Sequence, residues 1–309
     1  MSRSAASRAN RRGEPPPSPE PLPAPAVDSH THLDIVLDGF RPEGGATSTD
    51  ADVDAEIAAA VAVGVPRLVQ VGVDVASSRW SAELAARHPN VLAAVAVHPN
   101  EAGAGGADDD ALAEIDRLAA LPRVRAVGET GLDRYRTGPD GWAAQEESFR
   151  AHIRIAKRHG VALVIHDRDA HDEVLRVVDE EGAPEHVVMH CFSGDAAFAR
   201  ACVERGFVLS FAGTVTFGNA GYLREAAALT PLAQLLVETD SPFLTPAPHR
   251  GRPNASRLVP HTVRALAEIT GTELAQLCEA LTTTAERVFG PWEEWASPKR
   301  GPEGSLGPA

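Results

Sequence analysis

Short apolar runs recur along this sequence, each followed by a stretch of helical length, and that alternation constrains the fold more than any single motif. The runs are Arg67 to Val73, Val91 to Val97, Val124 to Gly128, Val161 to Ile165, His186 to His190, Phe207 to Phe211 and Gln234 to Val237. With an opening segment that ends at His32, they make about eight. They are Val- and Leu-rich and nearly continuous, as parallel strands covered on both faces should be. Between them lie amphipathic stretches: Asp52 to Val63, Ser77 to Arg87, Asp109 to Ala120, Trp142 to His159, Ala170 to Glu181, Ala196 to Arg205 and Asn219 to Leu229. Two more, Ser256 to Ile269 and Thr272 to Val288, complete the pattern. Ser48, Thr49 or Asp50 can cap the first of these helices. Strand–helix alternation repeated about eight times predicts an α/β fold, a (β/α)8 TIM barrel. A doubly wound open sheet competes with it but lacks a Gly-rich phosphate loop after the first strand.

The 309 residues, 43% hydrophobic and 23% charged, suffice for one barrel-sized core. Residues 1–25 carry Arg3, Arg8, Arg11 and Arg12 and then a run of prolines, a composition that predicts a disordered tail. The end, residues 291–309, is Pro- and Gly-rich and reads the same way, leaving 26–290 as the domain. No apolar run approaches the roughly 20 residues that cross a bilayer, and no secretory signal is legible. Cys191, Cys202 and Cys278 have no metal-ligand spacing and fit reduced thiols in a cytoplasmic protein. A net charge of −14 argues against a general nucleic-acid binder. It does not exclude an enzyme acting on nucleic acid, because arginines or bound cations can reverse the potential within one cleft.

In a barrel of this type the active site lies at the C-terminal ends of the strands. Strand one ends in Asp28-Ser29-His30-Thr31-His32, and residues two apart on a strand share a face. Strand three ends in His98-Pro99, strand four in Gly128-Glu129-Thr130-Gly131, and strand five in His166-Asp167-Arg168. Strand six ends in His190-Cys191-Phe192 and strand eight in Glu238-Thr239-Asp240-Ser241-Pro242. A carboxylate or imidazole at the end of an apolar strand is costly unless paired or bound to metal. By contrast, His88, His152, His159 and His171 fall within helical stretches and read as surface or packing residues, as do His186, His249 and His261.

Four imidazoles and at least two carboxylates exceed the needs of one four-coordinate ion. Two divalent cations are therefore expected: His30, His32 and Asp240 on one, His166 and His190 on the other, with Glu129 between them. Such a pair activates water and steadies charge on the attacked and leaving oxygens. Asp240 can take the proton, and Glu238 can orient neighbouring groups. His98 reads as a phosphate contact, a proton donor to the leaving group or a structural histidine. Asp28 is either turned away from the metals or a partner of a histidine ring. Arginines in the loops after these strands, Arg134 and Arg136, Arg168, Arg250 and Arg252, suit bidentate contact with phosphate. Arg168, Arg134 and Arg250 are the principal candidates.

These motifs, as an ordered set from about Val27 to Gly290, resemble the TatD family of metal-dependent deoxyribonucleases among the amidohydrolase-like metallohydrolases. Its carriers include Asp28-Ser29-His30-Thr31-His32-Leu33, His98-Pro99, Gly128-Glu129-Thr130-Gly131-Leu132-Asp133, Val164-Ile165-His166 with Arg168-Asp169-Ala170, His190-Cys191-Phe192-Ser193-Gly194 and Glu238-Thr239-Asp240-Ser241-Pro242. The resemblance implies a TIM barrel, two divalent metals on the ligand set just argued, and hydrolysis of DNA phosphodiesters, commonly from the 3′ end. The departures lie off the ligands: Ala96 replaces a usual Gly, the stretch Arg250 to Ser256 lacks a usual Pro at its end, and Thr284 replaces a frequent Asn. They bear on the rim and so on substrate choice. A carboxylated-lysine bridge is excluded, since neither Lys157 nor Lys299 is at a strand end.

The expectation is a 3′–5′ exonuclease acting on single-stranded DNA or 3′ ends. A metallohydrolase acting on another ester, such as D-aminoacyl-tRNA, is the alternative, and a non-catalytic scaffold is the third. Histidine-rich ligation favours Zn²⁺ or Mn²⁺ over Mg²⁺, although the resemblance points to Mg²⁺.

Overall fold

The computed structural model of the protein describes residues 14–39 and 49–292. The strands are β1 (Val27–Thr31), β2 (Arg67–Val71), β3 (Val91–Val95), β4 (Val124–Asp133), β5 (Ala162–Arg168), β6 (Val187–Met189), β7 (Val208–Phe211) and β8 (Leu235–Val237). Each pairs in parallel with the next, in the order β1 to β8. A parallel bridge from Thr31 to Ser241 and a hydrogen bond from Ser29 Oγ to the Val237 carbonyl (2.9 Å) join the last strand to the first. The TIM barrel expected from the alternation is the fold.

Eleven α-helices lie among the described residues: α1 (Leu33–Gly39), α2 (Asp50–Ala62), α3 (Val75–Arg87), α4 (Pro99–Gly103), α5 (Asp109–Ala119), α6 (Trp142–His159), α7 (His171–Glu181), α8 (Ala196–Glu204), α9 (Gly221–Leu229), α10 (Val259–Thr270) and α11 (Leu274–Phe289). The sequence pattern misses α1 and α4, which are too short to show a period. Helix α2 starts two residues earlier than expected because Thr49 is the cap, exchanging hydrogen bonds with Asp52. Asp74 and Ser77 do the same for α3.

Strand residues divide by parity. Val69, Val71, Leu92, Ala94, Ala126, Ala162, Val164, Val188, Val208 and Leu236 pack inside the barrel, over Val288, Phe289 and Trp292. Their neighbours, such as Leu68, Ala93, Val127, Leu163 and Leu209, pack outward against the helices. On β3, β5, β6 and β8 the inward parity carries straight on to His98, His166, His190, Glu238 and Asp240. On β1 and β4 it does not. Val27 and Ala126 are inward, yet His30, His32 and Glu129 reach the site with the opposite parity. Register shifts fall between Asp28 and Thr31 and between Val127 and Thr130, where an irregularity re-aims the following side chains.

Strand β4 runs past the expected end at Gly128 to Asp133. At Gly131, with φ +141°, a Cβ would meet the His166 carbonyl oxygen at 2.1 Å. Only glycine allows β4 to lie that close to β5.

The disordered reading of residues 1–25 needs correction from Glu14 onward; residues 1–13 lie outside the described residues. Leu22 is buried, and its N–H donates to the Val63 carbonyl (3.0 Å). Arg264 Nη2 donates to the carbonyls of Glu20 and Pro21 at 2.7 and 3.1 Å, and Arg252 donates to that of Glu14 at 2.6 Å. A proline run has few N–H groups but keeps its carbonyls, which arginines can hold. At the other end, Pro291 and Trp292 belong to the fold: Trp292 is buried, and its carbonyl accepts from Arg123. The rest of the expected C-terminal tail, 293–309, lies outside the described residues.

Candidate metal centre and active-site cleft

Six side chains from five strand ends converge above the barrel interior. His30 Nε2 and His32 Nε2 stand 3.2 Å apart. Glu129 Oε1 lies 3.9 and 3.6 Å from these atoms, and Asp240 Oδ1 lies 4.0 and 3.4 Å from them. Glu129 Oε2 faces the other way, 2.8 Å from His190 Nε2 and 3.1 Å from His166 Nδ1. One carboxylate thus presents one oxygen to each of two donor groups.

The spacing suits a divalent cation. Ligand atoms about 2.0–2.2 Å from an ion, at angles between octahedral and tetrahedral, lie about 2.8–3.6 Å from one another. Most of the distances fall in that window. Glu129 Oε1 and His30 Nδ1 are buried without a hydrogen-bond partner. An orphaned carboxylate oxygen aimed at two imidazole nitrogens is what a cation would satisfy.

The outer partners decide which ring nitrogen is free. His32 Nδ1 lies 2.9 Å from the Val71 carbonyl and so donates to it, leaving Nε2 as a lone-pair donor. His190 Nδ1 donates to Glu238 Oε1 (3.1 Å), with the same result. His166 is reversed: Nε2 faces Asp133 Oδ2 at 3.3 Å, and Nδ1 faces Glu129. Asp133, buried, also accepts the backbone N–H groups of Tyr135 and Arg136 on Oδ1. Sequence reasoning assigned Asp133 no role; the signal was a carboxylate at the far end of a strand extended by Gly131.

His98 is a different case. Its Nδ1 accepts the N–H of Asn100 (3.0 Å), so in the neutral ring Nε2 carries the proton. That N–H points toward Glu129 Oε2, 3.6 Å away. In that tautomer the ring presents a donor to the site. His152, read as a surface or packing residue, is buried, and its Nε2 accepts the N–H of Val97, which fixes the chain just before His98. Asp28 is not a partner of a histidine ring. It accepts from Thr239 N (2.9 Å) and Thr239 Oγ1 (2.7 Å), tying β1 to the turn that carries Asp240. Asp240, at φ +52°, and Cys191, at φ +45°, are held in the left-handed region at this rim.

The charges suit a cation. Burial raises the cost of the Glu129 carboxylate, yet the surrounding imidazoles, His190 and His166 among them, hold its pKa well below the usual range. Burial lowers His32, but the hydrogen bond that its ring donates to Asp240 and the Glu129 charge carry it up to about 9. Burial likewise opposes the charge on His190, and Glu238 with Glu129 overcomes it. Protons on these rings supply positive charge that a metal would replace. Burial brings His98 down to about 3, so it stays neutral.

These groups open into a cleft of about 490 Å³, whose walls include Asn100, Asp133, Arg136, Arg168, His171, Ser193, Thr214, Tyr222, Phe243 and Leu244. Arg168 places its Cζ over Tyr135, 4.2 Å from the ring centre, and reaches the cleft. Two expected phosphate contacts do not line it. Arg134 stacks on Trp142 (4.6 Å) with its Nε 3.5 Å from Glu173, and Arg250 stacks on Phe217 (4.3 Å). Each guanidinium is diverted to a neighbouring aromatic face. Arg136 takes the place expected for Arg134, and His171, read as a helix residue, lines the cleft while stacking on Phe198.

A TIM barrel with histidines and carboxylates gathered at the C-terminal mouth is the architecture of a metal-dependent hydrolase. Residues 27–290 match the sequence profile of the family described as TatD related DNase, and the chain belongs to that family. It is 48% identical over 268 residues to a Mycobacterium tuberculosis protein called "uncharacterized metal-dependent hydrolase TatD", covering 85% of this chain and 97% of that one. A Citrobacter rodentium protein called "3'-5' ssDNA/RNA exonuclease TatD" is 35% identical over 246 residues, 77% of this chain and 92% of its own. Among solved structures, a TatD homologue from Escherichia coli K12 named YJJV superposes with a TM-score of 0.77 at 25% identity, covering 86% of this chain and 98% of that one. This protein is a TatD-family metal-dependent hydrolase. No helix of the described residues is long and apolar enough to cross a membrane.

Proposed function

We propose that this hydrolase removes nucleotides from the 3′ end of single-stranded DNA, using two divalent cations. His30, His32, Asp240 and Glu129 Oε1 would hold one, and His166, His190 and Glu129 Oε2 the other. The observation that carries this reading is the opposed pair of Glu129 oxygens, each facing its own imidazole pair, beside a wall bearing Arg136 and Arg168. When bound, the cations supply Lewis acidity toward water and the phosphoryl oxygens. The protein's own groups do the rest. Arg168, packed over Tyr135, and Arg136 bind phosphate oxygens. Asp240 receives the proton of the attacking water. His98 presents its Nε2–H to the phosphoryl group or the leaving oxygen. Glu238 and Asp133 keep His190 and His166 in the ligating tautomers. Four imidazole donors suit Zn²⁺ or Mn²⁺. The free cysteines, Cys191, Cys202 and Cys278, fit a cytoplasmic setting.

Purified protein incubated with 3′-labelled and 5′-labelled single-stranded DNA, in Mg²⁺, Mn²⁺ or Zn²⁺, tests this. Mononucleotide release from the 3′ end, abolished by EDTA, is expected. Failure with all three metals would sink the nuclease reading, and metal-dependent hydrolysis of D-aminoacyl-tRNA alone would move the same centre to a deacylase.

A further inference from the structure

The cleft has two unlike walls. Arg136 follows β4, Arg168 ends β5 and His171 opens α7; with Asp133, Asp167 and Asp169 they make one side charged and polar, with two guanidinium groups on it. Thr214, Tyr222, Phe243 and Leu244 come from the segments after β7 and β8, three strands further round the barrel, and make the other side mainly apolar.

That wall is built, and built open. Tyr222 is 46% exposed at the head of α9. The protein has only two tyrosines, and both stand at this mouth: Tyr135 under Arg168 and Tyr222 in the facing wall. Among the described residues, the other exposed large apolar side chains are Val61 and Leu121, neither of which lines the cleft. Leu244 sits in the left-handed region at φ +57°, unfavourable for a branched side chain, yet is held there. Its carbonyl oxygen lies 2.2 Å from where a Cβ on Gly213 would be, so the Gly213 backbone is its support. The conformation leaves Phe243 and Leu244 half-buried at the cleft surface rather than in the core.

We infer that Tyr222, with Phe243 and Leu244, forms a stacking site for an unpaired nucleobase of the terminal nucleotide, while Arg136 and Arg168 hold its phosphate. The inference rests on the nuclease reading and narrows it. An aromatic face beside cations binds any base by its π-surface, which gives little sequence preference and excludes a base that remains paired. A paired terminus must fray before it can enter. The site therefore selects single strands by the base as well as by the backbone.

Two readouts on the full-length protein test this. The first uses an oligonucleotide with 2-aminopurine at its 3′ end, added to EDTA-treated protein, where stacking quenches the fluorescence without turnover. Quenching is expected for wild type and Tyr222→Phe, and its loss for Tyr222→Ala. The second compares KM for an ordinary 3′ end and for one whose last nucleotide is abasic. Wild type should show a KM about tenfold higher on the abasic end, within the range of one stacked base. Tyr222→Ala should raise KM on the ordinary end to the same extent and leave the abasic value unmoved, with Tyr222→Phe restoring the difference. Equal KM values for wild type on both ends, or an equal rise on both in Tyr222→Ala, would overturn the base site while leaving the nuclease intact. Quenching that depends on Tyr222 without cleavage in any metal would keep the base site and remove the nuclease. Absence of quenching in wild type would overturn the inference whatever the cleavage assay shows.

Discussion

Replacing Asp133 with asparagine exchanges one carboxylate oxygen for an NH₂ group at a buried position, and the hydrogen bonds around it dictate the consequence. Oδ1 accepts two backbone N–H groups, from Tyr135 at 3.0 Å and Arg136 at 2.7 Å, so in Asp133→Asn the remaining oxygen must stay there. The new NH₂ then faces His166 Nε2, which lies 3.3 Å from Oδ2. Two donors cannot share that contact. His166 resolves it by carrying its proton on Nδ1, the atom 3.1 Å from Glu129 Oε2, and that tautomer offers no lone pair to a cation. Loss of an outer partner of a ligating histidine typically costs about 10–100-fold in metal affinity. We expect a loss of that size confined to the His166–His190 side, measured by calorimetric titration of metal-free protein with Zn²⁺ and Mn²⁺. Wild type should show two transitions, and Asp133→Asn one unchanged and one weakened; added metal should restore part of the turnover. Circular dichroism and thermal melting control for folding. Wild-type affinity and stoichiometry in the folded variant would refute the tautomer argument.

Four further outcomes follow from the geometry. Burial brings His152 down to about 4 from an ordinary 6.5, so the folded state keeps the ring neutral while the unfolded chain protonates it below 6.5. Its contribution is complete above that pH and is lost as pH falls toward 4, about 3 kcal/mol over the interval; urea unfolding between pH 8 and 5 should show a flatter pH slope in His152→Gln, and identical slopes would dismiss the effect. Arg168→Ala should raise KM for single-stranded DNA about tenfold, as expected for a charge-assisted hydrogen bond. Arg134→Ala should leave KM alone and cost about 1 kcal/mol of stability through its lost stacking on Trp142; the reverse ranking in steady-state kinetics would mean the rim is misassigned. Gly131→Ala places a methyl group against the His166 carbonyl, where neither backbone can yield. It should destabilise the barrel by about 3 kcal/mol or more and lower the metal content, and a melting temperature within a degree of wild type would contradict the close approach.

Periodicity in the sequence was enough for the barrel, because parallel strands buried on both faces leave long apolar runs that alternate with amphipathic helices. Where strand parity runs unbroken, the site was legible too: His166, His190, Glu238 and Asp240 follow the inward residues of β5, β6 and β8 in steps of two. The short helices α1 and α4 were not legible, since a single turn or two has no period to read. Nor was the packing of residues 14–25, whose anchors are arginines more than 200 residues away.

Residue chemistry at the strand ends was sufficient to name the six groups that could hold metal. Tertiary structure alone decided how they face one another. His30, His32 and Glu129 lie on the parity that should point outward, and register shifts in β1 and β4 turn them in. Those shifts depend on neighbouring strands and on the two glycines of β4, which no local pattern encodes. The choice of ring nitrogen is likewise set from outside each histidine, by the Val71 carbonyl, Glu238 or Asp133. The same holds for the rim, where Trp142 and Phe217 draw away two of the arginines that the sequence placed over the phosphate. A side chain's type is local, but its direction is a property of what packs around it.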